Sequence, residues 1–201
     1  MTKNALWMPP TGTNALIFDC DGTLADTMPT HYSAWSWMLN QYGIPFSLEK
    51  FYAYAGKPTE LIIGLLAEES GVAVHNMPAM SRLKEQRYVE LIDEIKPIQV
   101  VLDIVIRHRG HLPMAVASGG EGYVVAKTLE VIGAGDWFKV VVAAEDTQRH
   151  KPEPDVFLEA ARRLDVDPNG CVVFEDSDLG LLAAERAGMV GVDVRPWYEA
   201  V

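Results

Sequence analysis

Short apolar runs alternate with amphipathic stretches along most of the chain. Five runs have the composition of buried strands: Ala15–Asp19, Met114–Ser118, Val140–Ala144, Cys171–Glu175 and Gly191–Val194. Four stretches with helical periodicity lie among the later runs: Val100–Arg109, Gly122–Ile132, Asp155–Leu164 and Leu179–Ala187. Mainly apolar strands are typical of sheets covered on both faces, and their alternation with helices favours parallel pairing through right-handed crossovers. The pattern predicts an α/β fold with a Rossmann-like parallel sheet and helices on both faces.

One long gap interrupts this alternation. Almost a hundred residues separate Asp19 from Met114, far more than a single crossover needs. The gap contains four helical stretches, Thr30–Tyr42, Leu48–Tyr54, Thr59–Glu69 and Ala79–Ile95, which are punctuated by Pro45, Pro58, Pro78 and Pro97. We therefore expect an α-helical cap domain over residues 28–95, inserted after the first strand into a core domain of residues 1–27 and 96–201.

Composition and charge narrow the choice of partners. The chain has 201 residues, 49% of them hydrophobic, which is enough for one sizeable core with a small insertion. Its formal net charge of −11 repels nucleic acid and anionic lipid, so we expect neither nucleic acid nor a membrane as a partner. No apolar stretch is long enough to span a bilayer. The oligomeric state does not follow from the sequence.

The cellular compartment is suggested by the cysteines and by the first residues. The two cysteines, Cys20 and Cys171, lie in apolar runs, which predicts packed thiols in a reducing compartment. The segment Met1–Asn14 has one lysine and no continuous apolar region, unlike a signal peptide. We therefore expect a cytoplasmic protein.

Polar residues collect at the ends of the predicted strands, where ligands bind in parallel α/β sheets. In chain order they form four groups: Asp19-Cys20-Asp21-Gly22-Thr23, Ser118-Gly119-Gly120, His150-Lys151-Pro152 and Glu175-Asp176-Ser177. Four carboxylates, one lysine and one hydroxyl are thus expected to converge on one crevice.

The residue types in this crevice fit phosphoryl transfer. Clustered carboxylates repel one another unless a cation lies among them, and hard oxygen ligands suit Mg²⁺. A carboxylate can also attack phosphorus, and a second one can carry protons to the leaving group and from water. A lysine, a serine and backbone amides can hold the phosphoryl oxygens.

The four groups, in this order, resemble the four motifs of the haloacid dehalogenase-like superfamily, and the resemblance covers nearly the whole chain. It implies a magnesium-dependent enzyme in which Asp19 is the nucleophile and a metal ligand, and Asp21 is the general acid/base and binds the metal through its backbone carbonyl. The resemblance also implies that Asp176 binds the metal and that Glu175 binds it directly or through water. Ser118, Gly119 and Lys151 would bind the phosphoryl group. The aspartate at position 21 favours oxygen phosphoesters, because dehalogenases and phosphonatases of the superfamily lack it.

The predicted cap resembles that of β-phosphoglucomutase-like proteins. Thr27 and His31 match an extension of the first motif, and Lys84 precedes Tyr88 much as a cap lysine does in those proteins. The resemblance implies that His31 and Lys84 contact the substrate.

One departure separates the chain from the mutases. They carry an arginine in a Gly-x-x-Arg segment of the cap, where this chain has Gly56-Lys57-Pro58-Thr59. The chain is more similar to fructose-1-phosphate and 6-phosphogluconate phosphatases, which it also resembles in Phe-Glu-Asp-Ser and in Val192-Asp193-Val194-Arg195. A phosphatase acting on a small phosphorylated metabolite, a sugar phosphate, is therefore the leading hypothesis. A hexose phosphomutase and a non-catalytic scaffold are the alternatives.

Several of these residues also fit ordinary structural roles. Asp19 and Asp21 could form a turn with Gly22, and Ser177 could cap the next helix. Lys84 lies in a stretch that has the composition of a solvated helix face. The aromatic residues of the cap have the composition of a local core: Tyr32, Trp35, Trp37, Tyr42, Phe51 and Tyr54.

Overall fold

A five-stranded parallel sheet forms the centre of the computed structural model, which describes residues 7–54 and 57–198. The strands are β1 Ala15–Phe18, β2 Met114–Ala117, β3 Val140–Val142, β4 Cys171–Glu175 and β5 Val190–Asp193. They lie in the order β3-β2-β1-β4-β5, and every neighbouring pair is parallel. The predicted fold class is therefore confirmed, and the strand ends differ from the prediction by at most two residues.

Eight α-helices accompany this sheet in the described part of the chain. They are α1 Met28–Asn40, α2 Leu48–Tyr54, α3 Thr59–Ser70, α4 Met77–Glu90, α5 Gln99–His108, α6 Gly122–Val131, α7 Asp155–Leu164 and α8 Asp178–Arg186. Short 3-10 turns cover Ile92–Glu94, Ala144–Asp146, Pro168–Gly170 and Arg195–Trp197. None of the described helices combines the length and the apolar character that a membrane crossing requires.

Each face of the sheet carries its own hydrophobic core, because alternate residues of a strand point to opposite faces. Leu16 and Phe18 of β1 pack with side chains of α5 and α6. Ala15 and Ile17 of the same strand pack with side chains of α7 and α8 on the other face. This double coverage explains why the strands are almost continuously apolar.

The inserted helices have a third core of their own. It includes Trp35 and Met38 of α1, Phe51 of α2, and Ile63 and Leu66 of α3. Trp35 and Phe51 are buried, as we expected for the aromatic residues of the cap. The same expectation is wrong for Trp37 and Tyr42, whose exposed fractions are 39% and 41%.

The helix ends in the insertion differ most from the prediction, which placed the last helix at Ala79–Ile95. The structure begins α4 at Met77, because Asn76 Oδ1 accepts a hydrogen bond from the Ala79 amide at 3.0 Å and caps the helix. Pro78 therefore lies in the first turn, where its missing N–H costs nothing. The helix ends at Glu90, and a separate 3-10 turn at Ile92–Glu94 follows.

The two connections between the insertion and the sheet run side by side. The Asp26 amide donates to the Lys96 carbonyl oxygen at 2.9 Å, and the Ile98 amide donates to the Leu24 carbonyl oxygen at 2.9 Å. Ala25 also forms a bridge with Pro97. These backbone hydrogen bonds hold both connections at one place.

The two cysteines are buried free thiols, as predicted. Cys20 packs into the core beneath α5 and α6, and Cys171 into the core beneath α7 and α8. Burial raises the pKa of Cys171 to about 11 and the pKa of Cys20 well above its ordinary value. Both therefore stay in the unreactive thiol form at neutral pH.

Candidate active site

One cavity of 520 Å³ lies between the carboxyl edge of the sheet and the inserted helices. All the residues that the sequence singled out as candidates line it: Asp19, Asp21, His31, Lys84, Ser118, Gly119, Lys151, Glu175 and Asp176. The structure therefore brings together side chains that are up to 157 positions apart in the chain, from Asp19 to Asp176. Parallel pairing of β1 with β2 and β4 produces this convergence.

Lys151 joins two of the buried carboxylates. Its Nζ donates to Asp19 Oδ1 at 2.7 Å and to Glu175 Oε1 at 3.1 Å. Burial alone would lower the pKa of Lys151, but the charges of Asp19 and Glu175 outweigh burial and raise it. Lys151 is therefore an ammonium group fixed beside Asp19. A positive charge held in this position is suited to bind a phosphoryl oxygen.

Three carboxylates are close enough to share one cation. Asp19, Glu175 and Asp176 each offer an oxygen atom within 4.8 Å of the others. Burial, and then the charge of Glu175, raise the pKa of Asp19 to about 8 against the opposing effect of Lys151. Burial and the same neighbours raise the pKa of Asp176 well above its ordinary value. One lysine does not balance this negative charge, so the oxygen donors fit a hard divalent cation such as Mg²⁺.

Glu175 is held by hydrogen bonds to both of its oxygens. Oε1 accepts from Lys151 and, at 2.7 Å, from the Ser177 hydroxyl, while Oε2 accepts from the Asp176 amide at 3.0 Å. Ser177 Oγ also accepts from the Gly180 amide at 3.1 Å and so caps α8. A Cβ at Gly180 would lie 1.6 Å from Glu175 Oε1, so only glycine leaves room for this carboxylate.

The turn after β1 brings Asp176 close to the backbone. The amides of Thr23, Leu24 and Ala25 all donate to the Cys20 carbonyl oxygen, which closes the turn. Gly22 has a φ of +78°, and a Cβ there would lie 2.1 Å from Asp176 Oδ2. Glycine at position 22 therefore allows both the left-handed backbone and the close approach of the Asp176 carboxylate.

The loop after β2 forms another wall of the cavity. Ser118 is buried, and its Oγ accepts a hydrogen bond from the Gly120 amide at 3.0 Å. The Glu145 carboxylate accepts from the Gly122 amide at 3.0 and 3.1 Å, so it occupies the first amide of α6. This leaves the hydroxyl of Ser118 and the backbone at Gly119 as the groups of this loop best suited to a phosphoryl oxygen.

A chain of contacts links Asp21 to the inserted helices. His31 Nε2 lies 3.2 Å from Asp21 Oδ1, and Lys84 Nζ lies 3.0 Å from His31 Nδ1. Lys84 also donates to Glu85 Oε1 at 2.8 Å. Lys84 is only 4% exposed, so the structure does not place it on the solvated helix face that its neighbours in the sequence suggest.

These contacts also act on the acidity of Asp21. Burial favours the neutral carboxyl group, but the neighbouring imidazole of His31 and the more distant ammonium of Lys84 outweigh burial and lower the pKa of Asp21. Asp21 thus prefers the charged form while the pKa of nearby Asp19 is raised. Two carboxyl groups with opposed shifts at one site are typical of residues that have different catalytic roles.

Tyr88 fixes the plane of the His31 ring. The two rings are stacked, with centroids 4.0 Å apart and planes 11° apart, and Tyr88 is fully buried. The Thr128 hydroxyl on α6 donates its one proton to the Val124 carbonyl oxygen at 3.0 Å. Tyr88 must therefore donate the hydrogen bond that joins its hydroxyl to Thr128 Oγ1 at 2.9 Å.

Sequence reasoning missed the acidic residues on the cap side of the cavity. Glu60, Glu85 and Glu121 line it together with the predicted residues. Glu121 directly follows Ser118-Gly119-Gly120, so its position after a predicted phosphate-binding loop was a signal available in the sequence. Glu60 and Glu85 carried no such signal, because their place in the cavity depends on how α3 and α4 pack.

Comparison with known proteins identifies the family of the chain and several relatives. The haloacid dehalogenase-like hydrolase family matches residues 16–194. The chain is 41% identical over 183 residues to fructose-1-phosphate phosphatase YqaB of Escherichia coli (strain K12), covering 90% of this chain and 95% of the relative. It is 31% identical over 190 residues to β-phosphoglucomutase of Bacillus subtilis (strain 168), covering 90% of this chain and 82% of the relative.

A solved structure shows the same fold. CbbY from Rhodobacter sphaeroides, in the crystal structure of a variant in complex with xylulose-(1,5)bisphosphate, superposes with a TM-score of 0.81 at 27% identity. The match covers 89% of this chain and 84% of that chain. Given the family match over most of its length, the chain belongs to the haloacid dehalogenase-like hydrolases.

Proposed function

We propose that this protein is a magnesium-dependent phosphatase that hydrolyses a sugar phosphate through a phospho-aspartate on Asp19. One observation carries the proposal. The Asp19 carboxylate is held at 2.7 Å by the Lys151 ammonium and lies beside the carboxylates of Glu175 and Asp176, at the floor of a cavity large enough for a sugar phosphate. A buried carboxylate between a cation site and a lysine is suited to attack phosphorus.

The metal would be held by the carboxylates of Asp19 and Asp176 and by the backbone carbonyl of Asp21, with Glu175 contributing directly or through water. The raised pKa values of Asp19 and Asp176 support this assignment, because a cation would relieve the repulsion that causes them. When bound, Mg²⁺ would neutralise charge on the phosphoryl oxygens and orient them toward Asp19.

In the first half-reaction, an Asp19 oxygen attacks phosphorus, and the bond between phosphorus and the sugar oxygen breaks. Asp21, in its protonated form, gives its proton to that oxygen, so that the sugar leaves as an alcohol. Lys151 and Ser118, with the backbone at Gly119, hold the phosphoryl oxygens as their charge redistributes.

In the second half-reaction, water attacks the phosphorus of the phospho-aspartate. Asp21, now ionised, takes a proton from the water, which restores its acidic form. The bond between phosphorus and Asp19 breaks, and inorganic phosphate leaves. The lowered pKa of Asp21 favours the ionised form, which is the form that accepts this proton. The negative charge of a bound phosphate would raise the pKa of Asp21 and favour the protonated form that the first half-reaction needs.

The leaving group is best matched by a sugar. A relative of 41% identity is a fructose-1-phosphate phosphatase. Aromatic rings and polar side chains both line the cavity, as is usual where a sugar packs its C–H face on rings and its hydroxyls on polar atoms. The mutase alternative has less support, because Thr59 stands where the mutases have an arginine.

The division of labour in this proposal follows the predicted domains. Residues 1–27 and 96–201 would form the catalytic domain, and residues 28–95 the cap. The separate core of the insertion and the paired connections at Asp26–Lys96 and Leu24–Ile98 support a hinge between them. We also propose a cytoplasmic location, since the thiols of Cys20 and Cys171 are free and buried.

Release of inorganic phosphate from a panel of phosphorylated metabolites tests the proposal. We expect turnover of sugar phosphates with Mg²⁺, loss of turnover with EDTA, and none in Asp19→Asn. Asp165→Asn, a change in the loop after α7 away from the cavity, serves as a matched control. Full activity in EDTA, or turnover by Asp19→Asn above a few per cent of wild type, would refute the mechanism.

A further inference from the structure

The cavity has two chemically different ends. The end at the sheet holds Lys151, Ser118 and the proposed cation site, which together suit one phosphate group. The end at the inserted helices is lined by rings and polar groups: Trp35, Phe46, Phe51, Tyr54, Thr59 and Ser81. The second end must receive the part of the substrate that leaves as an alcohol.

Three carboxylates line this second end. Glu60 lies in the first turn of α3, Glu85 lies on α4, and Glu121 immediately precedes α6. Besides Lys151, four basic side chains line the cavity: His31, Lys57, Lys84 and His150. With the histidines counted as neutral, the three carboxylates still outnumber Lys57 and Lys84, so a second negative charge on the substrate would meet net repulsion at this end.

The three carboxylates differ in how well their charges are balanced. Glu85 is paired with Lys84 at 2.8 Å, and Glu60 is in the first turn of a helix, where a negative charge is favourable. Burial, and then the charges of Glu85 and Glu145, raise the pKa of Glu121 against the opposing effect of Lys84 and Arg82. The surroundings of Glu121 thus already disfavour negative charge.

The polar groups at this end suit a polyhydroxylated carbon chain. Carboxylate oxygens accept hydrogen bonds from sugar hydroxyls, and the hydroxyls of Thr59 and Ser81 can both donate and accept. Among the bases, Lys57 has its Nζ 4.7 Å from the centroid of the Tyr54 ring. A point charge on a flexible side chain lacks the planar, two-pronged geometry with which arginine grips a phosphate.

We propose that the cap end of this cavity accepts an uncharged, polyhydroxylated leaving group and repels a second phosphate or a carboxylate, with Glu121 as the residue that discriminates most. This inference rests on the proposed function and narrows its substrate class to sugars that carry a single phosphate and no other anionic group. It distinguishes this chain from CbbY, which holds a sugar with two phosphates.

The test compares kcat/KM for fructose 1-phosphate, fructose 1,6-bisphosphate and 6-phosphogluconate. We expect wild type to prefer the first over the other two by roughly tenfold or more. Glu121→Gln removes one negative charge with almost no change of shape, and should raise kcat/KM for the two doubly anionic esters, relative to fructose 1-phosphate, by roughly tenfold. Glu121→Lys should raise this ratio further.

Glu130→Gln is the matched control, because Glu130 is an exposed glutamate at the other end of α6 that pairs with Lys127. It removes the same charge from the opposite end of α6 and should leave the ratio unchanged. Equal kcat/KM for the three esters in wild type, or the same ratio in Glu121→Gln as in Glu130→Gln, would overturn the inference while leaving the phosphatase function intact. No phosphate release from any ester with Mg²⁺ would overturn both.

Discussion

His31 on the inserted helix α1 contacts Asp21, the proposed general acid/base, with 3.2 Å between Nε2 and Oδ1. The other ring nitrogen faces the ammonium of Lys84 at 3.0 Å. Because an ammonium can only donate, Nδ1 must accept, and the proton of the neutral ring lies on Nε2, where it is donated to Asp21. The insertion therefore contributes directly to the geometry of the Asp21 carboxyl group.

This contact changes what we expect of His31→Ala. From the sequence alone, a cap residue should affect a preferred sugar phosphate and spare a small ester such as p-nitrophenyl phosphate. Since His31 orients Asp21, we expect kcat to fall by roughly tenfold or more for both substrates. This loss is part of the roughly 10²–10⁴-fold acceleration that general acid–base catalysis contributes. Steady-state kinetics on the two esters measure the effect.

His75→Ala, at an exposed histidine of the same insertion, is the control and should match wild type. Lys84→Ala should behave like His31→Ala, since Lys84 sets the proton position on the ring. A loss confined to the sugar phosphate would show that His31 only reads the substrate.

Tyr88 should position His31 rather than take part in the chemistry. Tyr88→Phe keeps the ring stack and loses only the hydrogen bond to Thr128, so it should lower the free energy of unfolding by about 1 kcal/mol with kcat little changed. Tyr88→Leu removes the stack and should lower kcat as well, with a shifted pH profile. Urea unfolding and pH–rate profiles measure the two effects.

Tyr123→Phe, at an exposed tyrosine of α6, controls for loss of a tyrosine hydroxyl. Equal kcat values and equal pH profiles for Tyr88→Leu and Tyr88→Phe would mean that stacking on His31 has no catalytic consequence.

The pKa of Asp19 predicts how metal-free protein responds to pH. Its folded value of about 8 exceeds its ordinary value of 3.8, so between these values the folded state binds more protons than the unfolded state. The contribution of Asp19 to the free energy of unfolding is thus greatest below pH 3.8 and is lost as the pH rises toward about 8. Asp19→Asn cannot titrate, so in EDTA it should become more stable relative to wild type as the pH rises from about 5 to about 8.

Urea unfolding of both proteins at the two pH values measures this difference. Mg²⁺ should reduce it, because a bound cation compensates the charge of Asp19. A difference between wild type and Asp19→Asn that stays constant with pH in EDTA would contradict the raised pKa.

The strands, and the meeting of the candidate residues at one edge of the sheet, could be predicted because local signals determine both. Apolar runs such as Cys171–Glu175 need cover on both faces, and parallel pairing then brings Asp19, Ser118 and Asp176 to one edge whatever lies between them. Gly22 could be placed in a turn, but its contact with Asp176 depends on the pairing of β1 with β4.

The cap side of the site could not be predicted in the same way. Lys84 is next to charged residues in the sequence, and its burial depends on α4 packing along α1 so that it meets His31. The stack of Tyr88 on His31 joins positions 57 residues apart on two helices. Such contacts follow from helix packing, for which no local pattern exists.

The site of phosphorylation tests the central claim most directly. Asp21→Asn keeps the Asp19 nucleophile but can neither protonate a sugar leaving group nor take a proton from water, so both half-reactions should slow by roughly 10²–10⁴-fold with a sugar phosphate. The leaving group of p-nitrophenyl phosphate departs without a proton, so with this ester only the second half-reaction should slow and the phosphorylated enzyme should accumulate. The variant is mixed with p-nitrophenyl phosphate and Mg²⁺, quenched in acid, digested and analysed by mass spectrometry. The account predicts an acyl phosphate on Asp19 that is absent from the Asp19→Asn/Asp21→Asn double variant. A phosphoryl group on another residue, or substrate turnover by Asp21→Asn with no phosphorylated enzyme, would contradict it.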